Sequence, residues 1–198
     1  MTPIEQFRAN IARVRHLGVL LRSMKALTTV AVDFSDILRA ELVAAVSALD
    51  HLVHELARVG MLEVYSGARS HTDAYSRFRV PMGAAVIGLS APHTSDWFDA
   101  AIRDAHGWLS FQQPDKIADA IRLFSSVSLW DVVAANMNMN VKDVKTRLQT
   151  IVDRRNKIAH EADLDPTLPG ATWPIDEVQV NDAIAFIETL GETIAAAA

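Results

Sequence analysis

Apolar positions recur at helical spacing along most of the chain, and this periodicity predicts the fold. Ile4, Phe7, Ile11, Val14, Leu17, Leu20 and Leu21 make one stripe, which predicts a helix over 4–27. The β-branched run Thr28-Thr29-Val30-Ala31-Val32 interrupts it. A second helix is predicted over 35–64, where Leu38, Leu42, Ala45, Leu49, Leu52, Leu56 and Val59 alternate steps of four and three. Such a seam suits an antiparallel bundle. Residues 66–80 lose the period and read as a loop or short helix. Residues 81–95 carry Pro81, Gly83, Gly88 and Pro92 around a short apolar stretch. A third helix is predicted over 96–111 with Ser95 as its cap, then short ones from Pro114 and over 129–135.

A long helix is predicted from Val141 to His160 or slightly beyond. Asp163-Leu164-Asp165-Pro166 should end it, because the residue before a proline avoids the α region. Pro169, Gly170 and Pro174 predict a surface loop, and a last helix spans 176–196. The expected fold is all-α: an antiparallel helical bundle of four to five main helices with short extra helices, forming a single domain over 1–198.

Composition narrows the chemistry. The chain has no Cys, so disulfides and thiolate metal sites are excluded, as suits a cytoplasmic protein. No apolar run approaches the roughly 18 residues of a membrane span, and no apolar h-region follows the first residues as in a signal peptide. Net charge is −5, which argues against a general nucleic-acid binder. The charge is uneven. Residues 142–157 carry six bases against two acids, a local +4 that leaves −9 for the rest. A basic helix on an acidic protein is compatible with a confined phosphate site, but from charge alone a solvated helix face is the better account.

Within the 141–160 helix, Val144, Leu148, Ile151, Val152 and Ile158 make the apolar stripe, continued by Ala162, and Arg155 falls near its middle. An arginine there requires a partner, a phosphate or water. A carboxylate elsewhere in the bundle or snorkelling at the bundle end would also satisfy it. Asn156 and His160 are four apart and share a face. Arg155 and His160 are separated by about 140° and about 7.5 Å on an ideal helix. They can serve one site only if the helix ends or bends near His160, or if two copies of the helix meet across a dimer axis. Histidine moves protons near neutrality, arginine holds phosphate, asparagine orients either, and no metal or other cofactor is required.

Other histidines are weaker candidates. His51 and His54 are three apart and could touch a metal, but Asp50 and Glu55 are poorly placed as a third ligand. Surface or interface histidines are the better account, and no metal site is expected. His71, Asp73, Tyr75, Arg77 and Arg79 form a polar, basic loop that could contact nucleic acid.

Arg155-Asn156-Lys157-Ile158-Ala159-His160, late on the penultimate long helix, resembles the Rx4-6H motif of the HEPN superfamily. The spacing is Rx4H from Arg155 and Rx5H from Arg154. Arg155 is preferred because Asn156 matches the polar residue that often follows the family arginine. Leu49-Asp50-His51-Leu52-Val53-His54-Glu55-Leu56, Thr72-Asp73-Ala74-Tyr75 and Val80-Pro81 resemble the RiboL-PSP-type HEPN branch. The resemblance implies a homodimer whose two motif copies form a composite site, and a metal-independent endoribonuclease with RNA as substrate. His160 would transfer the proton, Arg155 would stabilise the scissile phosphate and Asn156 would position it. Arg154 and Lys157 would help hold the RNA. The 2′-hydroxyl would attack and leave a cyclic phosphate. A toxin or phage-defence role with a cognate antitoxin or defence-system partner is implied too. Two rivals stay open: a non-catalytic HEPN module binding RNA, a nucleotide or a protein, and a plain scaffold with a structural arginine.

Overall fold

The apolar stripes fold as helices wherever they run long. In the computed structural model, which describes residues 1–29, 32–91, 94–168 and 170–198, the long helices are α1 (Pro3–Leu27), α2 (Ser35–Tyr65), α8 (Val141–His160) and α9 (Glu177–Ala197). Between α2 and α8 lie α3 (Asp73–Ser76), α4 (Met82–Ser90), α5 (Asp96–His106), α6 (Pro114–Arg122) and α7 (Leu129–Asn136). Val30, Ala31, Pro92 and Pro169, noted above, lie outside the described residues. Among the described residues there is one isolated bridge, Leu164 to Thr172, and no strand, so the fold is all-α as expected.

Helix α2 is the axis of the bundle and packs against α1, α5, α6, α8 and α9. That surround explains why more than one seam of it is buried. Leu38, Leu42, Ala45, Leu49 and Leu52 are joined in the core by Val46, Val53, Ala57 and Met61. Ion pairs Arg8–Glu192, Arg15–Glu188 and Lys25–Glu177 run up α1 as they run down α9, so these two helices are antiparallel. Two glycines allow close approach. A Cβ at Gly60 of α2 would sit 2.2 Å from the Phe124 ring, and one at Gly191 of α9 would sit 2.4 Å from Phe7.

Three expectations differ in detail. Residues 82–90 form α4, although the flanking prolines and glycines masked it. It packs on α5, where Gly88 lies beneath Trp97. Helix α5 stops at His106, not Phe111, and Ser95 makes no side-chain cap. Its backbone is already helical (φ −100°, ψ −2°), and the acids of the first turn, Asp96 and Asp99, face the helix dipole instead. The third concerns what stops α8, whose end at His160 is the expected one. It ends at His160, ahead of the proline, because Ala162 (φ 52°) and Asp163 (φ 56°) adopt left-handed backbone. Each such residue costs about 1–2 kcal/mol outside glycine.

A buried carboxylate holds that reversal. Asp163 is fully buried, and its Oδ2 accepts from Arg39 Nε on α2 and Arg154 Nη2 on α8, both at 2.8 Å. The same arginines donate to the Trp173 carbonyl, and Arg154 also reaches that of Pro174. Asp163 and residues 172–174 are therefore pinned to α2 and α8, and His160 is left as the last helical residue.

Candidate functional site

Helix α8 starts at Asn140, whose side chain accepts from the Asp143 N–H at 2.8 Å. Val144, Leu148, Ile151 and Val152 anchor its inner face in the core. The stripe ends at the half-buried Arg155, with Asn156 also half-buried and His160 exposed. Lys157 places positive charge at the negative end of the helix dipole.

Arg155, Asn156 and His160 line one groove of about 680 Å³. Its opposite wall is the 108–113 loop with Lys116 and Asp119 of α6. Arg155 Nη1 donates to Asn156 Oδ1 at 3.0 Å, while its Nε is buried with no acceptor. A guanidinium carries five N–H donors, and a buried one without an acceptor is unusual. His160 makes no hydrogen bond or ion pair among the described residues. The groove thus gathers a guanidinium with most of its donors unused, an amide and an imidazole, although the wheel separates Arg155 from His160 by about 140°.

The flanking bases behave differently. Arg154 is committed to Asp163 and two carbonyls, so the bundle-bound structural arginine anticipated for Arg155 is found one residue earlier. Lys157 is exposed, with its Nζ 5.4 Å from the centre of the Trp173 ring. Neither lines the groove.

The loop wall is set from α2. Asp50 accepts from the Phe111 N–H at 2.6 Å and from Gln112 Nε2 at 3.2 Å. His54 stacks on Phe111 with ring centres 4.5 Å apart, and His106 packs edge-on to the same ring at 5.3 Å. His106 is only 6 % exposed, and burial, helped by nearby His54, pushes its pKa down to about 4. His54 is therefore a packing residue of the wall, while His51 is exposed. No group of metal-ligating side chains gathers among the described residues.

Sequence reasoning missed Trp108 and Lys116. Trp108 is 80 % exposed at the groove and has no aromatic or hydrogen-bond partner among the described residues. Extending α5 to Phe111 hid it inside a helix. The signal was Gly107 with Ser110 and Pro114, a loop composition. Lys116 is exposed and makes no ion pair among the described residues.

Among the described residues no helix is long and apolar enough to cross a membrane. The model of the RiboL-PSP-HEPN family matches residues 86–197, more than half of the chain, from within α4 to the end of α9. The matched span contains the whole groove. The stretches at 49–56, 72–75 and 80–81 that share the resemblance precede it. No curated protein and no solved structure matches the chain.

Proposed function

The chain belongs to the RiboL-PSP-HEPN family, and on that premise we propose that it is a metal-independent endoribonuclease acting as a homodimer. The observation that carries this reading is the groove that gathers Arg155, Asn156 and His160, in which the Arg155 guanidinium spends only one hydrogen bond on a neighbouring side chain. A phosphodiester supplies the acceptors that this guanidinium lacks, and charge-assisted bonds of this kind are the stronger ones. Asn156 accepts from Arg155 and keeps its plane fixed.

In the proposed reaction an imidazole takes the proton of the 2′-hydroxyl, and that oxygen attacks phosphorus. The bond to the 5′-oxygen breaks, and the leaving oxygen receives a proton. The products are a 2′,3′-cyclic phosphate and a 5′-hydroxyl. The motif copies of two chains meet across the dimer groove, where one His160 takes the 2′-hydroxyl proton and water protonates the leaving oxygen, so one Arg155 and one His160, contributed by either chain, suffice. Arg155 stabilises the charge gathered on the phosphoryl oxygens. Trp108 offers a face on which a base can stack, a contact worth about 1–3 kcal/mol in single-strand binders. Arg154 drops out of the substrate-binding set, because its bonds to Asp163 and two carbonyls are needed to end α8. Lys157 stays a candidate at the rim. The toxin or phage-defence setting belongs to the same proposal.

Single-stranded RNA should be cut by the purified protein in the presence of a chelator, and left intact when the 2′-hydroxyl at the cleavage point is replaced by hydrogen. His160→Ala should lose cleavage by a factor of 10² or more with its circular dichroism unchanged. Cleavage that persists in this variant would contradict the mechanism. RNA binding without cleavage, weakened by Arg155→Ala, would instead support a non-catalytic binding module.

A further inference from the structure

The reactive groove is one of three depressions along α8 that share lining residues. A second cleft of about 1000 Å³ lies where the 69–77 segment meets the 122–131 segment and the start of α8. A smaller hollow of about 280 Å³ joins the two, sharing Gln113 with the groove and Lys145 with the cleft. One face of α8 runs the whole way. Lys145, Gln149, Val152, Asn156 and His160 fall within about 80° of arc and extend about 22 Å along the axis.

Charge follows the same path. The residues lining the three depressions include six bases and four acids, a net +2 on a chain whose total is −5. In the far cleft, Arg77 is exposed and, like His71, has no ion-pair or hydrogen-bond partner for its side chain among the described residues. Lys145 lies over the Trp130 ring at 5.8 Å and only 3.8 Å from the exposed Asp115, a loose pair that leaves its ammonium available. Arg69, by contrast, is tied to Glu63 and the Ala198 carbonyl and serves the cleft as structure.

We propose that the Arg77–His71–Lys145 cleft is a second phosphate-binding subsite, which holds the strand of a single-stranded RNA whose scissile phosphate lies at Arg155 and His160. This rests on the endoribonuclease reading for what happens at the near end, while the strand path is a binding claim of its own. At about 3.4 Å per stacked nucleotide, the stretch of about 22 Å along α8 from Lys145 to His160 corresponds to about six or seven nucleotides. The strand is single because the exposed Trp108 at the near end can receive only an unpaired base. The loop basicity noted from sequence at 71–79 thereby acquires a role.

The test is a comparison of RNA length. Wild type, Arg77→Glu and the double variant Arg77→Glu/Lys145→Gln are titrated into fluorescent 2′-O-methyl RNA of 4 and 12 nucleotides, which cannot be cut, across a salt series. Each lost phosphate contact should weaken the 12-mer roughly fivefold near 0.1 M salt, and the double variant should lower the log–log salt slope by about 1.4. Binding of the 4-mer and cleavage of an unmodified 4-mer should not change. Unchanged 12-mer binding, an equal loss on the 4-mer, equal affinity of wild type for a 12-base-pair duplex, or no binding of the 12-mer by wild type would each overturn the path. If wild type cuts RNA but its binding ignores Arg77 and Lys145, the path fails and the endonuclease stands. If length-dependent binding responds to Arg77 but no RNA is ever cut, the path stands and the endonuclease fails.

Discussion

Replacing Asp163 by Ala removes the carboxylate that Arg39 and Arg154 share. Arg39 is 7 % exposed and Arg154 more open, and both donate to the same Asp163 oxygen at 2.8 Å. Removing one partner of a buried pair costs about 3–5 kcal/mol, because a charge is left behind without its counterpart. Arg39 keeps Ser35, the Asp36 carboxylate at 3.3 Å, Thr172 and the Trp173 carbonyl, and Arg154 keeps the carbonyls of Trp173 and Pro174. The loss should therefore lie at the lower end, about 3 kcal/mol. Alanine also tolerates the left-handed backbone at this position (φ 56°) less well than aspartate does. With a urea slope of about 2 kcal/mol/M, the unfolding midpoint should fall by about 1.5 M. Amide exchange should become faster over 161–176 before it does so in α2. Asp163→Asn, which keeps an acceptor and tolerates the same backbone, should lose less. A midpoint for Asp163→Ala indistinguishable from wild type would refute the idea that this network ends α8.

His106 should make stability acid-sensitive. Its folded pKa of about 4 lies below the ordinary 6.5, so the unfolded chain binds more protons between these values. Its contribution is complete above the unfolded value and is lost as pH falls towards 4, amounting to about 2 kcal/mol by pH 5. His106→Leu should flatten that part of the profile in urea titrations at pH 7 and 5, and an unchanged slope would count against it. Ala162→Gly should raise the thermal midpoint by about 2 °C, because relief of about 1–2 kcal/mol at φ 52° exceeds the entropic cost of glycine. A lower midpoint would show that the left-handed backbone is unstrained there.

Much of this was legible in the chain. The stripes of α1, α2, α8 and α9 are long and amphipathic, and most of their apolar positions are buried, although Leu56 and Val59 of α2 are only partly so. Leu17 and Leu20 of α1, for example, belong to the stripe yet stay partly exposed. Short elements were harder. Helix α4 is apolar nearly all round, so it has no periodic signature, and its existence depends on α5. The end of α8 depends on Arg39, 124 residues before Asp163 in sequence, and no local pattern reveals such a partner.

The site shows the same division. The Arg155, Asn156 and His160 set was readable because it sits at fixed spacing on one helix. Sequence could not tell which of two adjacent arginines is structural, since that depends on where segment 161–176 returns. Nor could it show the opposite wall, where Asp50 on α2 fixes Phe111 and Gln112 and leaves Trp108 in solvent. That wall turns a helix end into a groove.

The central proposal, a composite site that needs Arg155 and His160 from a pair of chains, is tested most directly by complementation. Arg155→Ala and His160→Ala proteins are each purified, assayed for RNA cleavage, then mixed, allowed to exchange subunits and assayed again. Each variant alone should be inactive. The mixture should regain cleavage, because a mixed dimer places one intact arginine and one intact histidine in a shared groove. A mixture as inactive as its parents, with subunit exchange demonstrated, would contradict the composite site.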